Sequence, residues 1–183
     1  MTSNVNECLI LVDNSNIFIE GRKFSARKKG MVRKTTDLHE PVDWTWRIDF
    51  GSLLKQVANG HTIIESILVG STPPPNDSLW RAADSAGFKV TTHERSSTGG
   101  EKAVDTEVVA SGLKVIYKHP RPAILKLLSG DRDFIPLIRN TYDEGWETEL
   151  WGFSDSISNE LSQMVNRVQL LDDVFDLIGK YQS

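Results

Sequence analysis

The sequence has one cysteine and no apolar run near the length of a membrane-spanning helix. Cys8 alone cannot form an intrachain disulfide, and because it opens an apolar segment it is predicted to lie in the core. A membrane helix needs roughly 20 consecutive apolar residues, so none is expected. Residues 1–7 have no basic stretch ahead of an apolar one, so no signal peptide is expected. These absences predict a cytoplasmic protein without a membrane partner.

Histidine is also scarce, and its positions form no motif for a histidine-based metal site. The sequence has four histidines, and none of them has the spacing typical of metal ligands: His39, His61, His93 and His119. They are predicted to be surface or structural residues. The carboxylates are therefore the candidate ligands for any cation.

Positive charge is concentrated in one short segment. The whole chain has 21 basic and 25 acidic residues, for a net charge of −4. Residues 22–34 hold seven of the basic residues and no acid: Arg22, Lys23, Arg27, Lys28, Lys29, Arg33 and Lys34. Such a patch on an acidic body suits a polyanionic partner, although on charge alone a solvated, mobile loop is the favoured interpretation.

The order of apolar patterns predicts an α/β protein. Short apolar runs predict strands at residues 8–12, 62–70, 88–93, 123–128 and 146–153. Helical spacing predicts helices between these runs, and two more at residues 157–165 and 170–178. The alternation indicates a three-layer domain with a mostly parallel central sheet of about five strands. Residues 1–183 are predicted to be a single domain, with a basic insertion at about residues 22–46 that carries Trp44 and Trp46.

Four aspartates lie where ligands collect in a parallel sheet. Asp13 follows the first strand, Asp131 and Asp133 follow the fourth, and Asp105 is near the start of a long helix. Carboxylates that converge repel one another, and a hard cation such as Mg²⁺ relieves that repulsion. Simpler explanations are also open, because Asp13 could end a strand, Asp133 could cap a helix, and Asp105 could be a solvated acid that a helix dipole stabilises. The chemistry that a metal would support is phosphodiester hydrolysis.

Two polar residues beside these acids are candidate supports. Asn16 and Ser129 could orient the carboxylates or bind a water or phosphate, or each could only cap a turn. Trp44 and Trp46 could stack on bases, but packing in the core is the favoured interpretation for both.

The motifs that carry these acids resemble those of the NYN domain, a LabA-like branch of the PIN-like nucleases. The resemblance rests on residues 12–16 (VDNSN), 102–105 (KAVD) and 129–138 (SGDRDFIPLI), with a closing segment near residues 145–161. It implies a PIN-like fold and a ribonuclease that depends on Mg²⁺ or Mn²⁺. Asp13, Asp105, Asp131 and Asp133 fall on the acidic positions of the family. Arg132 departs from the pattern, because a small polar residue is common at that position.

The leading hypothesis from the sequence is therefore a metal-dependent endoribonuclease. Its four aspartates would bind the ion or ions, and the basic residues from Arg22 to Lys34 would hold RNA phosphates. One alternative is a catalytically weak module with the same fold that binds RNA or a protein. A haloacid-dehalogenase-like phosphatase is a further alternative, but it needs an aspartate where this chain has Ser15. The sequence leaves open the RNA class, DNA as a substrate, the number of ions, and whether the chain forms a homo-oligomer or binds a protein partner.

Overall fold

The sheet is built outward from its first strand, in which residues 8–12 are all fully buried. The computed structural model describes residues 5–33, 38–72, 77–94 and 100–182. In chain order the elements are β1 (Glu7–Asp13), α1 (Asn14–Lys28), β2 (Trp46–Ile48), α2 (Phe50–Ala58), β3 (Thr62–Thr72), α3 (Asp77–Ala86), β4 (Lys89–Glu94), α4 (Gly100–Lys118), β5 (Ile124–Leu128), α5 (Ile135–Asp143), β6 (Glu147–Gly152), α6 (Asn159–Met164), β7 (Arg167–Leu170), α7 (Phe175–Ile178) and β8 (Gly179–Tyr181).

Six strands form one parallel sheet in the order β4-β3-β1-β5-β6-β7. The α/β class and the mostly parallel sheet predicted from the sequence are confirmed, with six strands where about five were expected. β1 and β5 lie side by side although more than 100 residues separate them. This pairing brings the ends of two distant strands to the same edge of the sheet.

Helices cover both faces of the sheet, because buried strands need apolar partners on each side. On one face α1, α2, α3 and α7 pack over Cys8, Ile10 and Val12 of β1. On the other face α4, α5 and α6 pack over Leu9 and Leu11. Alternate residues of β1 therefore belong to two separate cores, and Cys8 is a core residue as predicted.

The segment predicted to be an insertion, at about residues 22–46, begins inside a helix. Residues 22–28 continue α1, and the chain then returns to form β2, which pairs antiparallel with β8. Trp46 is fully buried and stacks on Phe175, with ring centroids 5.3 Å apart. A Cβ at Gly21 or Gly179 would lie 2.4 or 2.2 Å from its indole, so both glycines are needed for this packing.

The last predicted helix, at residues 170–178, is wrong as a single element. Leu170 ends β7, residues 171–174 form a 3₁₀ helix, and Phe175–Ile178 form α7. Leu171, Phe175 and Ile178 are buried as helical spacing would require, because a 3₁₀ turn and a short α-helix place residues three and four apart on similar faces. Within the described ranges, no helix is both long enough and apolar enough to cross a membrane.

Candidate metal centre

Two adjacent strands end in the acids that the sequence singles out. Asp13 is the last residue of β1, and residues 129–131 follow β5 directly. Because the strands are parallel, with Val12 opposite Leu128, both segments lie at the carboxyl edge of the sheet. The Ser129 hydroxyl donates to Asp13 Oδ2 at 3.0 Å. This hydrogen bond ties the two strand ends together.

Asp13 is the buried acid of the site, with 5% of its surface exposed. It caps the N-terminus of α1, where its Oδ1 accepts the N–H of Asn16 at 3.3 Å. Burial raises the pKa of this carboxyl to about 6, although the bonds from Asn16 and Ser129 oppose the rise. The negative charge of Asp131 raises it further. A cation nearby would favour the ionised form of Asp13.

Gly130 allows a close approach between the turn after β5 and the loop after β6. A Cβ at this position would lie 2.0 Å from the carbonyl oxygen of Ser156. The Gly130 N–H donates to Asn16 Oδ1 at 3.2 Å, and its carbonyl accepts the N–H of Ser158 at 2.9 Å. Asn16 and Ser158 therefore fix the turn that carries Asp131.

Three carboxylates converge beside this turn. One oxygen each from Asp105, Asp131 and Asp133 lies within 4.8 Å of the other two. Asp131 Oδ1 accepts the N–H of Asp133 at 2.9 Å, and Ser129 Oγ accepts the N–H of Asp131 at 3.2 Å. The structure thus brings three of the four predicted ligands together. Asp13 is not in that set, and it connects to Asp131 through the hydroxyl of Ser129.

A cleft of about 630 Å³ opens beside the three acids. Asp105, Arg132, Asp133 and Glu160 line it, together with Thr106 and an apolar wall of Val109, Ile135 and Pro136. The Arg132 guanidinium has no ion-pair partner in the part of the chain that the structure describes. The cleft therefore presents three carboxylates and the Arg132 guanidinium to a ligand.

The basic residues of α1, and Lys29 directly after it, have partners outside the acidic cluster. Lys23, Arg27, Lys28 and Lys29 form ion pairs with Glu20, Asp155, Asp176 and Asp43, at 2.9, 3.0, 2.6 and 2.7 Å. Arg22 is buried, and its guanidinium lies over the rings of Phe18 and Trp44. Arg33 is exposed, and Lys34 lies outside the described residues. The structure does not place the described residues of this group at the cleft.

Sequence reasoning did not single out Glu160 as a site residue. It is in the first turn of α6, after the carboxyl end of β6, so its position at the sheet edge was a usable signal. Its approach to the cleft depends on the close contact at Gly130, which a sequence pattern does not reveal.

Comparison with known proteins gives one family and one fold. The family model of the NYN domain matches residues 8–172. The fold resembles the crystal structure of a protein of unknown function from Vibrio parahaemolyticus, with a TM-score of 0.69 and 15% identity. The alignment covers 97% of this chain and 99% of that one. No curated protein matches the sequence at a significant level.

Proposed function

We propose that this chain, which belongs to the NYN domain family, is a metal-dependent ribonuclease that hydrolyses RNA phosphodiester bonds. The observation that carries the proposal is the convergence of Asp105, Asp131 and Asp133 within 4.8 Å at the carboxyl edge of the sheet. Domains of this family are generally nucleases, and such nucleases typically use divalent metals. The RNA substrate and the metal dependence are the parts proposed for this protein.

The donor set fits a hard divalent cation. All of the converging atoms are carboxylate oxygens, which Mg²⁺ and Mn²⁺ prefer, and the three acids are half-buried or exposed, so that waters can complete the coordination. Asp105, Asp131 and Asp133 would hold the ion. Asp13 would support the turn that carries Asp131, through the hydroxyl of Ser129. Bound there, the ion would supply a water of lowered pKa and stabilise the charge on the leaving oxygen.

The residues around the acids have positioning roles. The Ser129 hydroxyl donates to the carboxylate of Asp13 and accepts the backbone N–H of Asp131, so that one hydroxyl positions the Asp13 side chain and the backbone that carries Asp131. Asn16 holds the backbone of Gly130 and so fixes the turn. Arg132 lines the same cleft and can bind a substrate phosphate, because a guanidinium forms bidentate hydrogen bonds to phosphate oxygens.

The test is a cleavage assay on a panel of single-stranded RNA, structured RNA and DNA with Mg²⁺ or Mn²⁺. We expect RNA cleavage by the wild type, and a loss of at least about 100-fold in Asp131→Asn and Asp105→Asn. Asp143→Asn is the matched control, because Asp143 is an exposed aspartate at the end of α5, away from the acidic cluster. Its activity should equal that of the wild type.

Two results would contradict the proposal. Cleavage that persists in excess chelator would show that no divalent metal is needed, and cleavage that survives Asp131→Asn would place the activity elsewhere. Salt-sensitive RNA binding without hydrolysis would instead indicate a binding module with this fold.

A further inference from the structure

Two tryptophans one residue apart have opposite environments. Trp46 is fully buried, whereas 67% of the Trp44 side chain is exposed. A single exposed aromatic residue needs no functional explanation by itself. The contacts around Trp44 decide whether its exposure is incidental.

The turn at residues 43–45, here the Trp44 turn, is held by a buried carboxylate. Asp43 Oδ1 accepts the N–H and the hydroxyl of Thr45 at 3.0 and 2.7 Å. Asp43 Oδ2 accepts the hydroxyl of Ser25 at 2.6 Å and pairs with Lys29 at 2.7 Å. Burial opposes ionisation, but the bonds from Lys29, Ser25 and Thr45 hold the pKa of Asp43 well below its usual range. The turn is therefore fixed to α1, and Trp44 needs little ordering before it binds a ligand.

A guanidinium lies over the Trp44 ring. The Arg22 guanidinium carbon is 4.9 Å from the Trp44 ring centroid and 3.9 Å from that of Phe18. Arg22 Nε also donates to the carbonyl of Trp46 at 3.4 Å. Burial, and then the charge of Arg47, lower the pKa of Arg22 to about 10, so it stays charged at pH 7. This cation–π contact holds the indole in place from one side.

Two further cationic side chains flank the turn, of which Lys29 is already paired with Asp43. Arg47 Nη1 donates to the carbonyls of Trp44 and Trp46, and Lys29 Nζ donates to Thr45 Oγ1 at 3.2 Å. An aromatic face beside fixed cations is the combination that binds a base together with its phosphates. Arg22 is nine residues from Asp13 along the chain, which is about 14 Å at the rise of an α-helix. A short strand of nucleic acid can span that distance.

We propose that Trp44 stacks on a base of a single-stranded segment of the RNA substrate, with Arg22 supporting the ring from within the protein. The proposal rests on the proposed function and adds a specificity to it, because both faces of a base inside a duplex are covered by the neighbouring base pairs. Single-stranded RNA would then bind in preference to duplex RNA.

The test measures binding separately from cleavage. In the full chain with Asp131→Asn, the affinity for a fluorescein-labelled 12-nucleotide single-stranded RNA is measured by anisotropy at constant salt. We expect Trp44→Ala to weaken binding by about 5- to 150-fold, the range for loss of one stacked base, and Trp44→Phe to recover most of it. Tyr142→Ala is the matched control, because Tyr142 is similarly exposed at 70% and lies on α5. It should change the affinity less than twofold.

A second measurement identifies stacking itself. RNA should quench tryptophan fluorescence in the parent protein, and Trp44→Ala should remove that quenching. Binding of a 12-base-pair duplex should change less than twofold in Trp44→Ala. If single-strand affinity is unchanged in Trp44→Ala, or if duplex affinity falls equally, the proposal is overturned.

The outcomes separate this proposal from the proposed function. RNA cleavage that depends on Asp131, with an unchanged single-strand affinity in Trp44→Ala, would leave the nuclease intact and overturn the stacking site. Single-strand binding that depends on Trp44, without cleavage in the wild type, would support the stacking site and contradict the nuclease proposal. No RNA binding by any variant would overturn the stacking site and favour a protein partner for Trp44.

Discussion

In the absence of a metal ion, the burial of Asp13 affects both its own pKa and the stability of the protein. Its carboxyl is buried, and its two hydrogen bonds do not offset the loss of water, so its pKa rises to about 6. The folded state therefore binds a proton more tightly than the unfolded chain does. The free energy of unfolding should fall as the pH rises through the interval between the two pKa values.

Asp13→Asn should consequently stabilise the protein at pH 7 in chelator, by on the order of 2–3 kcal/mol, since one pKa unit corresponds to about 1.4 kcal/mol. The gap should close as the pH falls toward 4, because wild-type Asp13 is then protonated in the folded state. Urea unfolding at pH 4, 5, 6 and 7 measures it. A gap that stays constant across this range would show that ionisation of Asp13 does not determine the difference.

The role of Arg132 could not be predicted from the sequence. Its position between two aspartates left open whether it binds phosphate or weakens metal binding. The structure puts it on the wall of the cleft and without an ion-pair partner in the described ranges. The turn at Gly130 determines which carboxylates lie near the Arg132 guanidinium. A linear motif does not encode the path of that turn.

Among the elements, β5 is tied to its neighbours by a buried lysine. Lys126 is fully buried, and its ammonium donates to the carbonyls of Val57 and Ala58 at 2.7 and 3.3 Å. It also pairs with the buried Glu149 of β6 at 3.3 Å. A single side chain thus joins the C-terminal end of α2 to two strands. It satisfies helix carbonyls that have no partner within the helix.

Lys126→Met should reduce the free energy of unfolding by about 3 kcal/mol, the lower end of the range for removing one partner of a buried pair, because Arg167 remains on Glu149. Lys55→Met is the control, since Lys55 is exposed on the same helix. Urea denaturation of both variants provides the comparison. A loss below about 0.5 kcal/mol in Lys126→Met would mean that the network contributes no stability.

The predicted elements show which information apolar spacing contains. The five expected strands are all present, because each contains a run of apolar or β-branched residues, even in the edge strand β4, whose residues alternate between exposed and half-buried over much of its length. β7 was missed, since residues 167–170 are mostly exposed and polar and lie on an edge of the sheet. After β7, the apolar spacing of residues 170–178 correctly identified the buried side chains. It did not reveal that the backbone there is a 3₁₀ helix followed by a short α-helix.

For the whole molecule, the sheet order explains the site. The pairing of β1 with β5 brings Asp13 and Asp131 together, which the rule for parallel strands anticipated. The basic segment was harder to interpret, because its acidic partners include Asp155 and Asp176, which are more than 100 residues away. A charge run appears uncompensated until the fold supplies such partners.

The chain also closes on itself through β8, which covers Trp46. Truncation after Ile178 should lower the free energy of unfolding by about 2 kcal/mol, because Trp46 loses apolar cover and β2 loses its partner. Tryptophan emission should shift to longer wavelength, while cleavage that depends on Asp131 should persist, since the acidic cluster is on other elements. Truncation after Tyr181 keeps β8 and is the control. A loss of cleavage at a temperature where the truncated protein is still folded would show that the closing strand also supports the acidic centre.

Cys8 has a practical consequence for anyone who wants to observe this protein in motion. Burial in β1 raises the pKa of its thiol to about 11, so almost no reactive thiolate exists at neutral pH. It is also the single cysteine of the chain. A cysteine engineered at an exposed position would therefore be the sole site for maleimide dyes or spin labels. The native background can be labelled without first replacing a residue of the core.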